Sequence, residues 1–187
     1  MTIRIANAAG FWGDSLDAPH RLLEQTEVDY LTLEYLAELT MSILAAQRRQ
    51  DPRRGYAHDF VTVMEDIAWF LKRQPQLKIV TNAGGLHPTA CAGAVAQQLA
   101  AADLGDLPVG IVGGDDVLQQ IGAWRAEGLE FDNLDSGQPL ADLPGELVCA
   151  HAYLGGAPIQ QALAAGARVV ITGRVADASL TVAPAVH

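Results

Sequence analysis

Cysteine is nearly absent. The 187-residue chain holds two, Cys91 and Cys149, with no CxxC pair and no Cys/His cluster. A disulfide framework and a structural zinc site are therefore unsupported. Basic residues are also scarce, 12 Lys and Arg against 22 Asp and Glu, for a formal net charge of -10. Such a surface repels phosphate backbones, so nucleic acid is excluded as an expected partner. Four of the twelve cations, Arg48, Arg49, Arg53 and Arg54, gather in "QRRQDPRRG". They read either as a solvated helix end, where cations suit the dipole, or as a local spot for a small anion. No apolar run reaches the roughly 18 residues that span a bilayer. The start "MTIRIANAAGF" has no basic region followed by a long apolar stretch, so no leader is expected and the chain reads as cytoplasmic. Three catalytic or nucleotide signatures are missing as well: GxGxxG, the GK[ST] of a phosphate loop, and the Gly-x-Ser-x-Gly elbow of a hydrolase.

What is present points to one layered α/β domain. Half the residues are apolar and 18% are charged, which suits a packed core rather than disorder. Strand-length apolar runs recur as "IRIANAA", "DYLTLEYL", "KIVTNAGG", "VGIVGG", "ELVCAHAYLG" and "RVVITGRV". Most are continuous rather than alternating, the pattern of strands covered on both faces in a parallel sheet. Helical spacing lies between them, over 35–49, 59–73, 88–102, 115–126 and 158–165. Pro88 sits in a first turn, and Gly166 follows the last helix as a C-cap. The expected fold is an α/β, mostly parallel sheet with flanking helices, Rossmann-like, with a partial β/α barrel as the alternative. One domain spans 1–187. Little follows the strand "RVVITG" before Pro184, so a sheet lacking its C-terminal part is expected. Its open edge would favour association into a homo-oligomer.

In parallel α/β folds ligands bind beyond the carboxyl ends of the strands. That rule selects Asn7, Trp12 and Asp14 after the first run, and Glu34 after the second. It then selects Asn82, Gly84 and Gly85, followed by Asp115, His151, and finally Arg174 with Asp177. Glu38 and Tyr153 fall in the same strand-end regions. Each has an ordinary role beside a functional one. Asn bonds its own turn backbone, and acids such as Asp14 and Asp115 cap helices. Gly84-Gly85 either makes a tight corner or lets backbone N–H groups approach an anion. Trp12 packs on a ligand or fills a core pocket. Arg174 pairs with Asp177 or grips a substrate anion. Glu34 ends a strand and opens a helix, a place for a general base. No His stands at metal-ligand spacing beside it, so no metal is expected.

The stretches "NAAGFWGD", "DYLTLEYLAELTMSIL", "VTNAGGLHPTAC", "AHAYLGGAPIQQALAAGA" and "VVITGRVADASL" together resemble the acyclic terpene utilisation AtuA family. The resemblance runs from the first strand to the last residue. It implies a role in the breakdown of citronellol- and geraniol-type compounds or other branched acids, on coenzyme A thioesters. It brings no catalytic assignment. The expected function is thus a lyase or hydratase on a branched acyl-CoA. Glu34 would be the base, Asp115 or His151 the acid partner, and Arg174 with the Asn82–Gly85 corner the holder of anionic groups. No cofactor is expected beyond coenzyme A as part of the substrate. The alternative is a non-catalytic ligand-binding or scaffold subunit of a catabolic complex.

Overall fold

A computed structural model describes residues 2–187. Five strands form among them: β1 (Ile5–Asn7), β2 (Tyr30–Leu33), β3 (Lys78–Thr81), β4 (Val109–Val112) and β5 (Val169–Thr172). They make one sheet in the order β1-β2-β3-β5-β4, and every pairing is parallel. The sheet is open, with β1 and β4 at its edges among the described residues. β2 and β5 are buried along their whole length, whereas the edge strands are partly exposed. That difference is why β2 and β5 read as unbroken apolar runs.

The helices are α1 (Ala18–Gln25), α2 (Glu38–Gln50), α3 (Asp59–Ile67), α4 (Phe70–Arg73), α5 (Pro88–Ala101), α6 (Ile121–Ala126), α7 (Ala157–Ala164) and α8 (Ser179–Val186). The steps β1 to β2, β2 to β3 and β3 to β4 all run in one direction across the sheet. The step β4 to β5 runs back. Because such crossovers are right-handed, the helices of the forward steps must cover one face and α7 the other. The two cores follow this division. On one face Leu31, Leu33, Ile79, Val169 and Ile171 pack with Phe60, Met64, Val95 and Leu99. On the other, Val80, Val112 and Val170 pack with Ile159, Leu163 and Leu180. Phe60, Leu31, Leu33 and Ile159 have no exposed surface, and burying each such side chain contributes about 1.5–3 kcal/mol.

One consequence positions the site. β3 and β5 are neighbours, yet the chain leaves β3 for α5 on one face and β5 for α8 on the other. Their carboxyl ends therefore open a crevice, the place where ligands sit in sheets of this kind.

Several expected elements differ in detail. The run "ELVCAHAYLG" is not a sheet strand. Residues 150–154 are extended and lie across the carboxyl end of the sheet, with single bridges Asp116 to His151 and Leu154 to Val175. Their backbone is stitched to the loops after β4 and β5, Ala152 N–H donating to Asp115 O at 2.7 Å and Ala176 N–H to Leu154 O at 2.9 Å. The helix expected over 115–126 begins as a 3-10 turn at Leu118, because Asp115 is drawn into the crevice and Asp116 Oδ1 caps Leu118 N–H at 3.1 Å. The helix expected over 59–73 divides around Ala68 and Trp69, where i to i+3 bonds tighten the turn. The C-terminal residues form α8 despite Pro184, which removes the bond to the Leu180 carbonyl. Leu180 and Ala183 of α8 pack in the core of the second face.

Candidate functional site

The polar residues at the strand ends fall into two groups. One group holds corners together. Asn7 Oδ1 accepts the Ala9 N–H at 3.1 Å, within its own turn. Asn82, fully buried, reaches across to the next strand. Its Oδ1 accepts the Tyr35 N–H at 2.8 Å and its Nδ2 donates to Glu34 Oε1. The same Glu34 oxygen accepts the Leu36 N–H at 3.0 Å. Burial pushes the Glu34 carboxyl up. Glu34 and Asn82 thus clip the β2 corner to the β3 corner, and Glu34 is not on the wall of the cavity described below. Gly84 and Gly85 are buried too. A β-carbon on Gly84 would stand 2.5 Å from the Thr172 carbonyl, and Gly85 has φ +52° with Leu44 and Gly55 against it. These two glycines make a close backbone approach. Trp12 is half-buried against the core. Asp14 is half-buried and accepts the Gly10 and Ser15 N–H groups at 2.9 and 2.7 Å, which hold its carboxyl below the usual range. Asn7, Trp12 and Asp14 therefore stay at the β1 corner, apart from the cavity.

The other group converges at the β3/β5 crevice. Asp115 follows β4 and is 3% exposed. Its Oδ2 accepts the Arg174 backbone N–H at 2.7 Å and faces His151 Nδ1 at 2.9 Å. The side chains of His151 and Asp115 are 7% and 5% exposed. A carboxylate at that distance places the imidazole proton on Nδ1 and leaves Nε2 as a bare lone pair. Among the described residues Nε2 is buried and has no hydrogen-bond partner, which is uncommon for a buried polar atom. Gly173 makes the arrangement fit, since a β-carbon there would overlap both Asp115 carboxylate oxygens.

Arg174 follows Gly173 and turns its guanidinium toward the β2 corner. Nη1 donates to Leu36 O at 2.6 Å. Nη2 donates to the Tyr153 hydroxyl at 3.0 Å and lies 3.4 Å from Glu38 Oε1 and 3.5 Å from Asp177 Oδ1. The guanidinium carbon stands 4.3 Å from the Tyr153 ring centre. Tyr153 in turn donates to Glu38, and that bond holds the Glu38 carboxyl below its usual range. Glu38, Met41, Cys149, Ala150, His151, Tyr153 and Arg174 line a cavity of about 180 Å³. Cys149 also lines a neighbouring hollow of about 400 Å³ that reaches Arg48 and Arg49. Those arginines are engaged with Leu86 O and Glu146.

Of the strand-end candidates, Asp115, His151, Arg174 and Asp177 come together. Glu38 and Tyr153 join them, and Gly173 supports them. Tyr153 was legible as the residue two along from His151 on an extended segment, hence on the same side. Gly173 carries no signal in sequence beyond preceding Arg174.

The two thiols differ sharply. Burial raises the Cys91 thiol to about 12. Cys149 is half-buried and raised by burial and by Asp116. Thiolate is the reactive form, so in native protein a thiol reagent should label Cys149 first, and Cys91 only on unfolding. Peptide mapping after timed alkylation checks this, and equal labelling would contradict the burial of Cys91.

The family model described as acyclic terpene utilisation family protein AtuA matches residues 3–187. The chain belongs to the AtuA family. No curated protein and no solved structure matches it. Family membership connects this AtuA-family chain to acyclic terpene utilisation. Among the described residues no three His, Cys, Asp or Glu side chains are placed to hold a metal ion. Among the described residues no helix is long and apolar enough to cross a membrane.

Proposed function

We propose that this AtuA-family chain is an acid–base enzyme of acyclic terpene breakdown, acting as a lyase or hydratase on a branched acyl thioester. The observation that carries the proposal is the buried Asp115–His151 pair, whose Nε2 is buried without a partner on a residue that lines the cavity shared with Arg174. We assign the base to His151 rather than to Glu34, and the two bonds that Glu34 Oε1 accepts at its corner support that choice.

Both reactions begin with proton removal by Nε2. In lysis His151 takes the proton of a 3-hydroxyl. The C–O bond becomes a carbonyl, the C2–C3 bond breaks, and its electron pair passes into the thioester enolate. In hydration His151 takes a proton from water. The oxygen bonds to C3 of an enoyl thioester, and the π pair passes to C2 as the enolate of the 3-hydroxyacyl thioester. In each case the imidazolium returns the proton to C2. The Asp115 carboxylate stabilises the imidazolium in between. A general base so placed contributes on the order of 100–10,000-fold.

A thioester enolate in each gives one test for both reactions. The chain is incubated in D₂O with branched acyl-CoA thioesters, and deuterium at C2 is read by mass spectrometry. Protein-dependent incorporation is expected. The same thioesters should raise the unfolding midpoint, by about 2.7 kcal/mol of stability at a hundred times the dissociation constant. Thioesters that shift the midpoint but acquire no deuterium would overturn the enzyme and support a ligand-binding subunit.

A further inference from the structure

We propose that Arg174 and Tyr153 form a subsite for a carboxylate of the ligand, and that the Glu38 side chain fills this subsite until the ligand arrives. This rests on the cavity being the ligand site, as proposed above, and not on which bond is made or broken there.

The guanidinium is out of place for a mere surface ion pair. Its side chain is 5% exposed, while those of its two carboxylate partners, Glu38 and Asp177, are 80% and 68% exposed. A buried cation is ordinarily matched by a buried, well-bonded carboxylate. Here the inward edge is satisfied by the Leu36 carbonyl at 2.6 Å. The outward edge meets its two acids only at 3.4 and 3.5 Å, longer than the 2.7–2.9 Å typical of charge-assisted bonds. Arg174 therefore has unspent capacity for an anion on the cavity side.

Tyr153 supplies the second donor. Its hydroxyl accepts from Arg174 Nη2 at 3.0 Å and donates its own proton to Glu38. Its ring, stacked on the guanidinium, fixes the distance between the two donors. An arginine edge and a phenol proton converging on one carboxylate make an oxyanion clamp, and Glu38 occupies it. Glu38 is the first residue of α2, on a flexible and exposed side chain, so it can swing out without disturbing the core. Met41, Ala150 and Cys149 give the rest of the cavity an apolar wall. The fitting ligand carries a carboxylate beside a short branched apolar body.

Removing the internal occupant should tighten binding of a matching acid. The probe is 3-methylbutanoate, with 3-methylbutanamide as its uncharged counterpart, titrated calorimetrically into the parent chain and into Glu38→Ala. If Glu38 fills the subsite nine-tenths of the time, its loss tightens the acid about tenfold. The amide should not change. Adding Tyr153→Phe to Glu38→Ala should return the acid toward parent affinity. Thermal unfolding of each variant establishes that it folds, which the exposure of Glu38 favours. Acid binding no tighter in Glu38→Ala, or an equal gain for the amide, would overturn the proposal. Deuterium exchange separates the two claims. Exchange of thioesters without tightening of the acid removes the subsite and keeps the acid–base enzyme. Tightening without any exchange does the reverse.

Discussion

Gly173→Ala is expected to destabilise the fold by roughly 3–5 kcal/mol, read as a lowered midpoint in urea. The new β-carbon would stand 2.7 Å from Asp115 Cγ and closer still to both carboxylate oxygens. No backbone strain is involved, since Gly173 has an ordinary φ; the cost is steric and electrostatic. The carboxylate cannot swing aside freely, being buried and bonded to the Arg174 N–H and to His151. Displacing it breaks two bonds to a charged group and leaves that charge without compensation. A second measurement isolates the cause. In an Asp115→Ala background the clash has no partner, so Gly173→Ala should add less than about 1 kcal/mol. An equal cost in both backgrounds would show that the glycine matters for some other reason.

Asp115→Asn should abolish base function while leaving the shape of the crevice intact. The Arg174 N–H and His151 Nδ1 both meet one atom, Oδ2, so the amide keeps its oxygen there for the two N–H groups and the tautomer is unchanged, but the negative charge is gone. The imidazolium formed in the reaction then has no carboxylate to stabilise it. C2 deuterium exchange of a branched thioester should fall on the order of 100-fold or more. His151→Gln should fall as far. The double variant should fall no further, because the two residues act as one unit. Exchange within threefold of the parent in Asp115→Asn would remove the pair from the chemistry.

Much of the fold was legible in the sequence, and the reason is local. β2 and β5 are buried on both faces, and continuous runs such as "YLTL" and "VVIT" report that directly. Pro88 and Gly166 mark helix ends through their own backbone preferences, Gly166 at φ +95°. The segment "ELVCAHAYLG" deceived because an extended chain has the same side-chain pattern whether or not it pairs along its length. The corners were legible as corners, but their partners were not. Asn82 had a turn role open to it, and it instead bonds Tyr35, 47 residues away. Asp115 looked like a helix cap, and its partners lie 36 and 59 residues on. Which strand-end residues meet depends on the order of strands, and β5 entering between β3 and β4 is a long-range event that no local pattern encodes.

That insertion has a consequence for how the protein is made. During synthesis β3 and β4 emerge before β5, yet they cannot pair with each other across the gap that β5 will occupy. Until β5 arrives, one edge of β3 presents unmatched backbone groups, and β4 has no neighbour. Gly173 and Arg174 ride on the end of that same strand. The last strand among the described residues therefore completes the sheet and the crevice in a single late event with high sequence separation, the kind that slows folding and prolongs exposure of sticky edges. A nascent chain stalled before Val169 would hold neither a continuous sheet nor a place to bind.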